Sequence, residues 1–129
     1  MQGVAIFEVS GDLHIILFDL EVSGLRRVNL DRGQFTALNE VEYELRGIIG
    51  SDYTEAVDVG LEYNDWPGSR GMVLARIYVK DGKPYRVLLA SYDRGLVTKL
   101  SGRLSRLGWR PLFVFDIRKS ARGAKNISY

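Results

Sequence analysis

The chain has 129 residues, of which 46% are hydrophobic and 26% are charged, a composition typical of a folded domain with its own core. It contains no cysteine and a single histidine, His14, which excludes disulfides, cysteine-based metal sites and thiol nucleophiles. The net charge of +2 conceals an asymmetry, because residues 1–65 carry 13 acidic and 4 basic side chains (−9), whereas residues 66–129 carry 3 and 14 (+11).

The basic half predicts a contact with nucleic acid, and the acidic half suits a basic partner. An ordinary dipolar surface is the alternative interpretation. The sequence has no run approaching the ~18 consecutive apolar residues that a membrane span needs. The N-terminus also lacks the basic start and long apolar run of a signal peptide. We therefore expect a cytoplasmic protein that does not associate with membranes.

The N-terminal segment predicts a β-hairpin. Residues 3–9 and 12–22 are rich in β-branched and aromatic side chains, and the turn-forming residues Ser10-Gly11-Asp12 lie between them. His14 falls inside the second predicted strand, where a structural role is expected. We interpret residues 1–30 as a reduced N-terminal β segment that precedes the main domain.

An amphipathic helix is predicted next. The segment Asn29-Leu30-Asp31 offers capping oxygens, and Gly47 is expected to end the helix. Its apolar face comprises Phe35, Leu38, Val41 and Leu45.

Three strands and a second helix follow. Residues 56–63 alternate as a strand, and residues 72–79 and 85–90 flank Asp81-Gly82, a strong hairpin signal. The second helix is expected to be capped by Ser91 or Asp93 and to end at Gly108. Its apolar stripe comprises Leu96, Leu100, Leu104 and Leu107.

The last predicted strand, residues 112–117, is almost continuously apolar, as expected of a strand buried on both faces. The predicted fold is therefore α+β, with an N-terminal β-hairpin followed by an α-β-β-β-α-β nuclease-like core that has a mixed sheet and two helices. The fold by itself assigns no reaction.

The sequence offers an incomplete set of residues for magnesium-dependent cleavage. Asp58 and Glu62 supply acids from the first core strand, but residues 85–90 contribute neither a carboxylate nor a lysine. The glycines at 95, 102 and 108 lack the spacing and the lysine of a phosphate-binding loop. Metal-free cleavage of RNA needs a base, an acid and a cation, such as a Tyr/His/Lys trio.

Four segments resemble archaeal tRNA-splicing endonucleases, in the order found in that family. Residues 35–46 (FTALNEVEYELR) are similar to the helix F-x-x-L-x-x-V-x-x-[DE]-L-R that opens the family's C-terminal domain. Residues 60–66 (GLEYNDW) are similar to G-[FI]-K-Y-G-x-D-F, although one residue shorter. Residues 84–89 resemble the strand after the active-site histidine, and residues 102–106 with Arg110 resemble the helix end G-R-V-x-H-S-x-R-K. Residues 31–129 would then be the family's C-terminal-like domain.

The resemblance implies a subunit without catalytic residues. In the family's catalytic subunits a Tyr, a His and a Lys perform the chemistry. The tyrosine position matches Tyr63, but the histidine position falls near Lys83-Pro84 and the lysine position near Arg110-Pro111. The chain therefore resembles the structural subunit of a heteromeric, metal-independent endonuclease that cuts precursor tRNA at bulge-helix-bulge introns. Its implied partners are a catalytic subunit and precursor tRNA, and no metal or cofactor is implied.

The resemblance also suggests where the contacts lie. Asp93 matches an acidic loop that reaches a basic cleft on the opposite pair of subunits, and Tyr63 becomes a vestigial family tyrosine or simply a packed aromatic. Arg118 and Lys119 begin a basic tail that either contacts RNA or is solvated. The full set of expected nucleic-acid or partner contacts is Arg103, Arg106, Arg110, Arg118 and Lys119.

Two other functions fit the same sequence. The first is a stand-alone RNA- or single-stranded-DNA-binding module, in which Trp66, Tyr92 and Trp109 stack on bases. The second is an interaction protein without a nucleic-acid role. From the charge asymmetry and the predicted fold we expect residues 94–125 to meet RNA or a charged partner, while the acidic helix around Glu40 to Glu44 faces solvent or a basic subunit.

Overall fold

The computed structural model describes residues 1–64 and 71–117. Within them the chain forms three helices and six strands, and the predicted α+β class is confirmed. The elements in chain order are β1 (Gly3–Glu8), α1 (Leu13–Val22), β2 (Arg26–Val28), α2 (Arg32–Ile49), β3 (Glu55–Glu62), β4 (Met72–Lys80), β5 (Lys83–Ser91), α3 (Leu96–Arg106) and β6 (Arg110–Asp116).

The six strands form one sheet in the order β2-β3-β4-β5-β1-β6, and every neighbouring pair is antiparallel. The prediction of a mixed sheet is therefore wrong. Strand β1 lies inside the sheet, since Gly3 pairs with Ser91 of β5 on one side and with Asp116 of β6 on the other. The N-terminal segment is thus part of the main sheet rather than an appendage to it.

The prediction of an N-terminal β-hairpin is also wrong, because residues 13–22 form helix α1. The carboxylate of Asp12 accepts a hydrogen bond from the amide of Ile15 at 3.0 Å, so this residue caps a helix instead of making a turn. Ile16 and Leu20, one helical turn apart, are fully buried. His14 lies on this helix and is exposed.

The helices lie on both faces of the sheet. On the first face, α1 and α3 pack over a core that includes Phe7, Leu20 and Leu100. On the second face, α2 packs over a separate core that includes Leu38 and Tyr78. The acidic helix α2 and the basic helix α3 therefore face opposite ways, which the sequence alone does not reveal.

Helix α2 and the β4–β5 hairpin form as predicted. Asp31 and Gln34 make a reciprocal capping box at the start of α2, and the helix continues past Gly47 to Ile49. Lys80 pairs with Lys83 across a two-residue turn in which Asp81 and Gly82 have φ angles of 52° and 78°. Positive φ at both central residues is the conformation that favours Asp-Gly in such hairpins.

Strand β6 forms as predicted, but the expectation that it is buried on both faces is wrong. It lies at the edge of the described sheet, and Val114 and Phe115 are 43% and 52% exposed. The strand is apolar for a different reason: Phe113 and Phe115 line an open groove on the second face of the sheet. No helix in the described part of the chain is long and apolar enough to cross a membrane.

Candidate nucleic-acid interface

Helix α3 carries a row of three cations along one side. Lys99, Arg103 and Arg106 are spaced by four and three residues, which places them on neighbouring turns of the same helix face. Leu96, Leu100 and Leu104 hold the adjacent side of the helix in the core. We call the three cations the basic stripe. The helix contains no acidic residue, so no carboxylate of its own neutralises them.

The basic stripe meets Tyr63, which directly follows β3. The Arg103 guanidinium carbon lies 5.4 Å from the centroid of the Tyr63 ring, and the Lys99 ammonium nitrogen lies 5.7 Å from it. Both distances are within the range of cation–π attraction. The ring is 7% exposed, so Tyr63 is a packed aromatic that supports the two cations. The structure thus brings together Tyr63 and Arg103, two of the sequence-predicted site residues.

A glycine makes room for this contact. Gly24 has a φ of +100°, and a β-carbon at this position would lie 2.7 Å from Cε1 of Tyr63. Any larger residue would therefore displace the tyrosine ring as well as strain the backbone. The absence of a side chain at Gly24 therefore allows the turn after α1 to pack closely against the end of β3.

Arg103 also has a structural role. Its Nη1 donates a 2.7 Å hydrogen bond to the carbonyl oxygen of Ser23, which immediately follows α1. A cation at the C-terminal end of a helix is favoured by the helix dipole. Arg106, one turn further along α3, is exposed and borders a shallow pocket of about 170 Å³ with Val22 and Leu107. Arg106 therefore extends the basic stripe towards solvent, whereas Arg103 also holds α3 against the end of α1.

The remaining predicted contact residues lie away from the basic stripe or outside the described residues. Arg110 begins β6, where its Nε donates to Glu8 at 3.0 Å. Asp93 is half-buried, its amide donates to Ser91 Oγ at 3.0 Å, and its carbonyl accepts from Leu96 at the start of α3. Arg118 and Lys119 lie outside the described residues.

The prediction that Ser91 or Asp93 caps α3 is wrong. The N-cap residue is Gly95, which has no side chain to contribute. The missing acceptor comes from β6, where the Asp116 carboxylate accepts hydrogen bonds from the amides of Gly95 and Thr98, each at 2.8 Å.

The three positions that match the family's Tyr, His and Lys do not converge. Glu62, next to Tyr63, pairs with Met72 at one end of β4, whereas Lys83 pairs with Lys80 at the other end. Strand β4 has nine residues, so about 27 Å separate its ends at roughly 3.4 Å per residue. Arg110 pairs with Glu8, which in turn pairs with Arg86 near the Lys83 end. Tyr63 therefore lies at the opposite end of the sheet from the other two positions.

The acids considered for magnesium are held by arginines. Asp58 accepts two hydrogen bonds from Arg76, at 2.6 Å from Nε and 2.8 Å from Nη2. Glu62 accepts one from Arg26 at 2.7 Å. Within residues 1–64 and 71–117, no group of three His, Asp or Glu side chains has the arrangement of a metal site.

Arg76 is the centre of a buried polar cluster under α2. Besides Asp58, it donates to Glu42 at 3.1 Å, and the same Glu42 oxygen accepts from the hydroxyl of Tyr78 at 2.7 Å. The bidentate Asp58 contact is the main cause that raises the pKa of Arg76. Burial, followed by the contact with Glu42, raises the pKa of Tyr78 above its ordinary value of 10.0. The cluster ties α2 to β3 and β4, which is a structural role.

The structure does not place the three aromatic residues predicted to stack on bases together on one surface. Trp109 is 3% exposed, packs edge-on against Phe7 at 5.4 Å and donates from Nε1 to Asp19 at 2.8 Å. Its position in the core excludes base stacking in this conformation. Tyr92 is about half exposed but borders the groove on the second face. Trp66 lies outside the described residues.

Lys99 is not one of the five individually predicted contact residues, although it lies within the predicted contact range 94–125. Its spacing predicts this placement, since it lies four residues before Arg103 on the predicted helix.

Comparisons of the chain with family models, with curated proteins and with solved structures each find no match.

Proposed function

We propose that this chain is a non-catalytic structural subunit of a heteromeric tRNA-splicing endonuclease, and that it meets RNA through the basic stripe of α3. Its partners in this proposal are a catalytic subunit and precursor tRNA, assembled as a hetero-oligomer in the cytoplasm. Its contribution is assembly and RNA positioning, while the partner supplies the chemistry.

The observation that carries the proposal is the basic stripe beside Tyr63. Three cations on successive turns of one helix suit the phosphate groups of an RNA backbone, which supply most of the electrostatic free energy of binding. Packing of Lys99 and Arg103 against the ring restrains two of these side chains. Restraining them in advance lowers the entropy cost of binding.

Two further points support a non-catalytic role in that family. The order α2-β3-β4-β5-α3-β6 is the order that the resembling motifs require. Only the tyrosine position holds the expected residue type, and Tyr63 is about a strand's length from Lys83 and Arg110, so this chain by itself does not assemble the catalytic trio.

The test is a cleavage assay on a bulge-helix-bulge RNA. We expect no cleavage by this chain alone, and cleavage with a 2′,3′-cyclic phosphate product when it is mixed with a catalytic subunit. Cleavage by the purified chain alone would overturn the proposal, and so would failure to form a complex with any such subunit. The size and stoichiometry of the co-expressed complex provide the second readout.

The sheet favours a second candidate, a stand-alone RNA- or single-stranded-DNA-binding module. The nuclease-like core was expected to have a mixed sheet, whereas the described sheet is antiparallel and places β1 between β5 and β6. In this second candidate the basic stripe binds nucleic acid without another protein. Salt-sensitive RNA binding by the chain alone, combined with no effect on any splicing endonuclease, would favour it over the first.

A further inference from the structure

The second face of the sheet is only partly covered in the described residues. Six strands spaced about 4.8 Å apart make a sheet about 24 Å wide, and packed helices lie about 8–10 Å apart, so each face has room for two helices. The first face carries α1 and α3, but the second carries α2, which contacts β4 and β5. One helix position remains over β1 and β6.

An apolar groove of about 900 Å³ occupies this position. Val4 of β1 and Phe113 and Phe115 of β6 contribute to its lining from the sheet, and Ala37 and Val41 contribute from α2. Phe115 is 52% exposed, although its cross-strand partner Val4 is buried. An aromatic side chain exposed in a concave apolar surface is typical of an interaction site.

The rim of the groove is acidic. Glu40 and Glu44, one turn apart on α2, are both exposed, and among residues 1–64 and 71–117 those that line the groove include no lysine or arginine. Glu42, the intervening acid, points under the helix to Arg76 and Tyr78. The groove therefore combines an apolar floor with two negative charges on one wall, and its complement is an apolar surface flanked by positive charges.

We propose that this groove binds an amphipathic helix of a partner protein, which packs beside α2 and completes the second helical layer. Its apolar side chains contact Val4, Phe113 and Phe115, and its lysine or arginine side chains, one turn apart, pair with Glu40 and Glu44. This inference is independent of the proposed function, because the basic stripe lies on the other face of the sheet.

The test uses the full chain and a fluorescein-labelled helical peptide of leucine and lysine with about four turns, at 3.6 residues per turn, as the probe. The variant Glu40→Lys/Glu44→Lys is expected to weaken binding by about tenfold, because it removes two ion pairs and introduces repulsion. The control Glu21→Lys/Glu55→Lys makes the same change in net charge at exposed sites elsewhere and is expected to retain the affinity. Equal losses of affinity in the two variants would overturn the proposal.

The apolar surface has its own matched pair of variants. Phe115→Ser is expected to weaken peptide binding by about tenfold, the usual effect of removing one well-packed aromatic side chain from an interface. Val114→Ser changes the preceding residue of the same strand, on the opposite face and with similar exposure, and is expected to have no effect. Retained affinity in Phe115→Ser would overturn the proposal.

A photo-crosslink identifies the occupant. With p-benzoylphenylalanine in place of Phe115, illumination in the presence of the peptide is expected to give a chain–peptide adduct. If mass spectrometry finds instead an adduct to residues 118–129 of the same chain, or between two copies of the chain, the groove has a different occupant and the proposal fails.

Discussion

The carboxylate of Asp116 accepts hydrogen bonds from both the amide and the hydroxyl of Thr98, at 2.8 and 3.0 Å. Thr98 lies in the first turn of α3, and Asp116 is the last residue of β6. The strand that follows the basic helix therefore supplies the cap that Gly95 cannot provide, and it fixes the end of the helix against the sheet.

Replacing this carboxylate should destabilise the protein. Asp116→Ala is expected to lower the free energy of unfolding by about 1–2 kcal/mol, the usual cost of losing a helix N-cap. The measurement is the urea midpoint. The control is Glu8→Ala, which removes the exposed ion pair with Arg110 at the other end of β6 and should cost below about 1 kcal/mol. Equal decreases in stability would mean that Asp116 does not act as the cap.

The buried cluster around Arg76 predicts a larger effect. Arg76→Met leaves the partly buried carboxylates of Asp58 and Glu42 without their cation. Breaking a fully buried pair costs roughly 3–5 kcal/mol, so we expect a cost of up to about 3 kcal/mol here. Lys80→Met, on the same strand, removes an exposed pair with Asp52 and should cost about 0–1 kcal/mol. Chemical unfolding of both variants tests the difference. Similar midpoints would contradict the structural role assigned to Arg76.

Tyr78 should make the protein sensitive to alkali. Its phenol ionises near pH 10 in an unfolded chain, whereas burial and Glu42 raise its pKa in the folded protein. The stability that this difference provides is complete below pH 10 and is lost as the pH rises from 10 towards the raised pKa, with a slope of up to about 1.4 kcal/mol per pH unit. We expect Tyr78→Phe to show a shallower decline of stability above pH 10, measured by unfolding at a series of pH values.

The exposed Tyr43 provides the control for this prediction. Tyr43→Phe should retain the alkaline decline of the original protein. If Tyr78→Phe and the original protein lost stability in parallel above pH 10, the phenol of Tyr78 would not be the group responsible.

A substitution of Trp109 tests whether this residue contributes to core packing or to nucleic-acid binding. Trp109→Phe removes the hydrogen bond to the half-buried Asp19, which should cost about 0.5–1.5 kcal/mol, the usual net contribution of one hydrogen bond. The folded variant should bind RNA as tightly as the original protein, since the indole is in the core. Thermal unfolding and RNA titration test the two parts. A loss of RNA affinity at a temperature where the variant is fully folded would contradict the core placement.

The amphipathic helices could be predicted from the sequence because the spacing of their apolar residues matches the face that is buried. The stripes Leu38–Val41 and Leu96–Leu100–Leu104 identify the faces of α2 and α3 that are buried, whereas Phe35 and Leu107, at the ends of the predicted stripes, are exposed. Helix α1 was missed because Ile15, Phe18 and Val22 make its outer face apolar too, which removes the helical period and resembles a strand. Asp12 is compatible with a turn and with a helix N-cap, and in the structure it caps α1.

The placement of β6 and the site at Tyr63 required the tertiary structure. A continuous apolar run is expected both for a buried strand and for an edge strand that lines a groove, so residues 112–117 could not distinguish them. The contact of Tyr63 with Lys99 and Arg103 joins residues more than thirty positions apart. The helical spacing predicted that the two cations share a face, but only the packing of α3 on the sheet decides which aromatic they meet.

The central claim is that the basic stripe is where the chain meets RNA, and the most direct measurement is the salt-dependent affinity for a bulge-helix-bulge RNA. The variant Lys99→Glu/Arg106→Glu leaves the hydrogen bond from Arg103 to Ser23 in place. The control Arg32→Glu/Lys83→Glu makes the same change in net charge at exposed residues outside α3. We predict that the first variant binds at least about tenfold more weakly and that its slope of log affinity against log salt falls by about 2, one for each RNA phosphate that the variant no longer neutralises. The control should retain both the affinity and the slope. If both variants lost affinity equally, or if the first kept the original slope, the basic stripe would not be the RNA-binding surface.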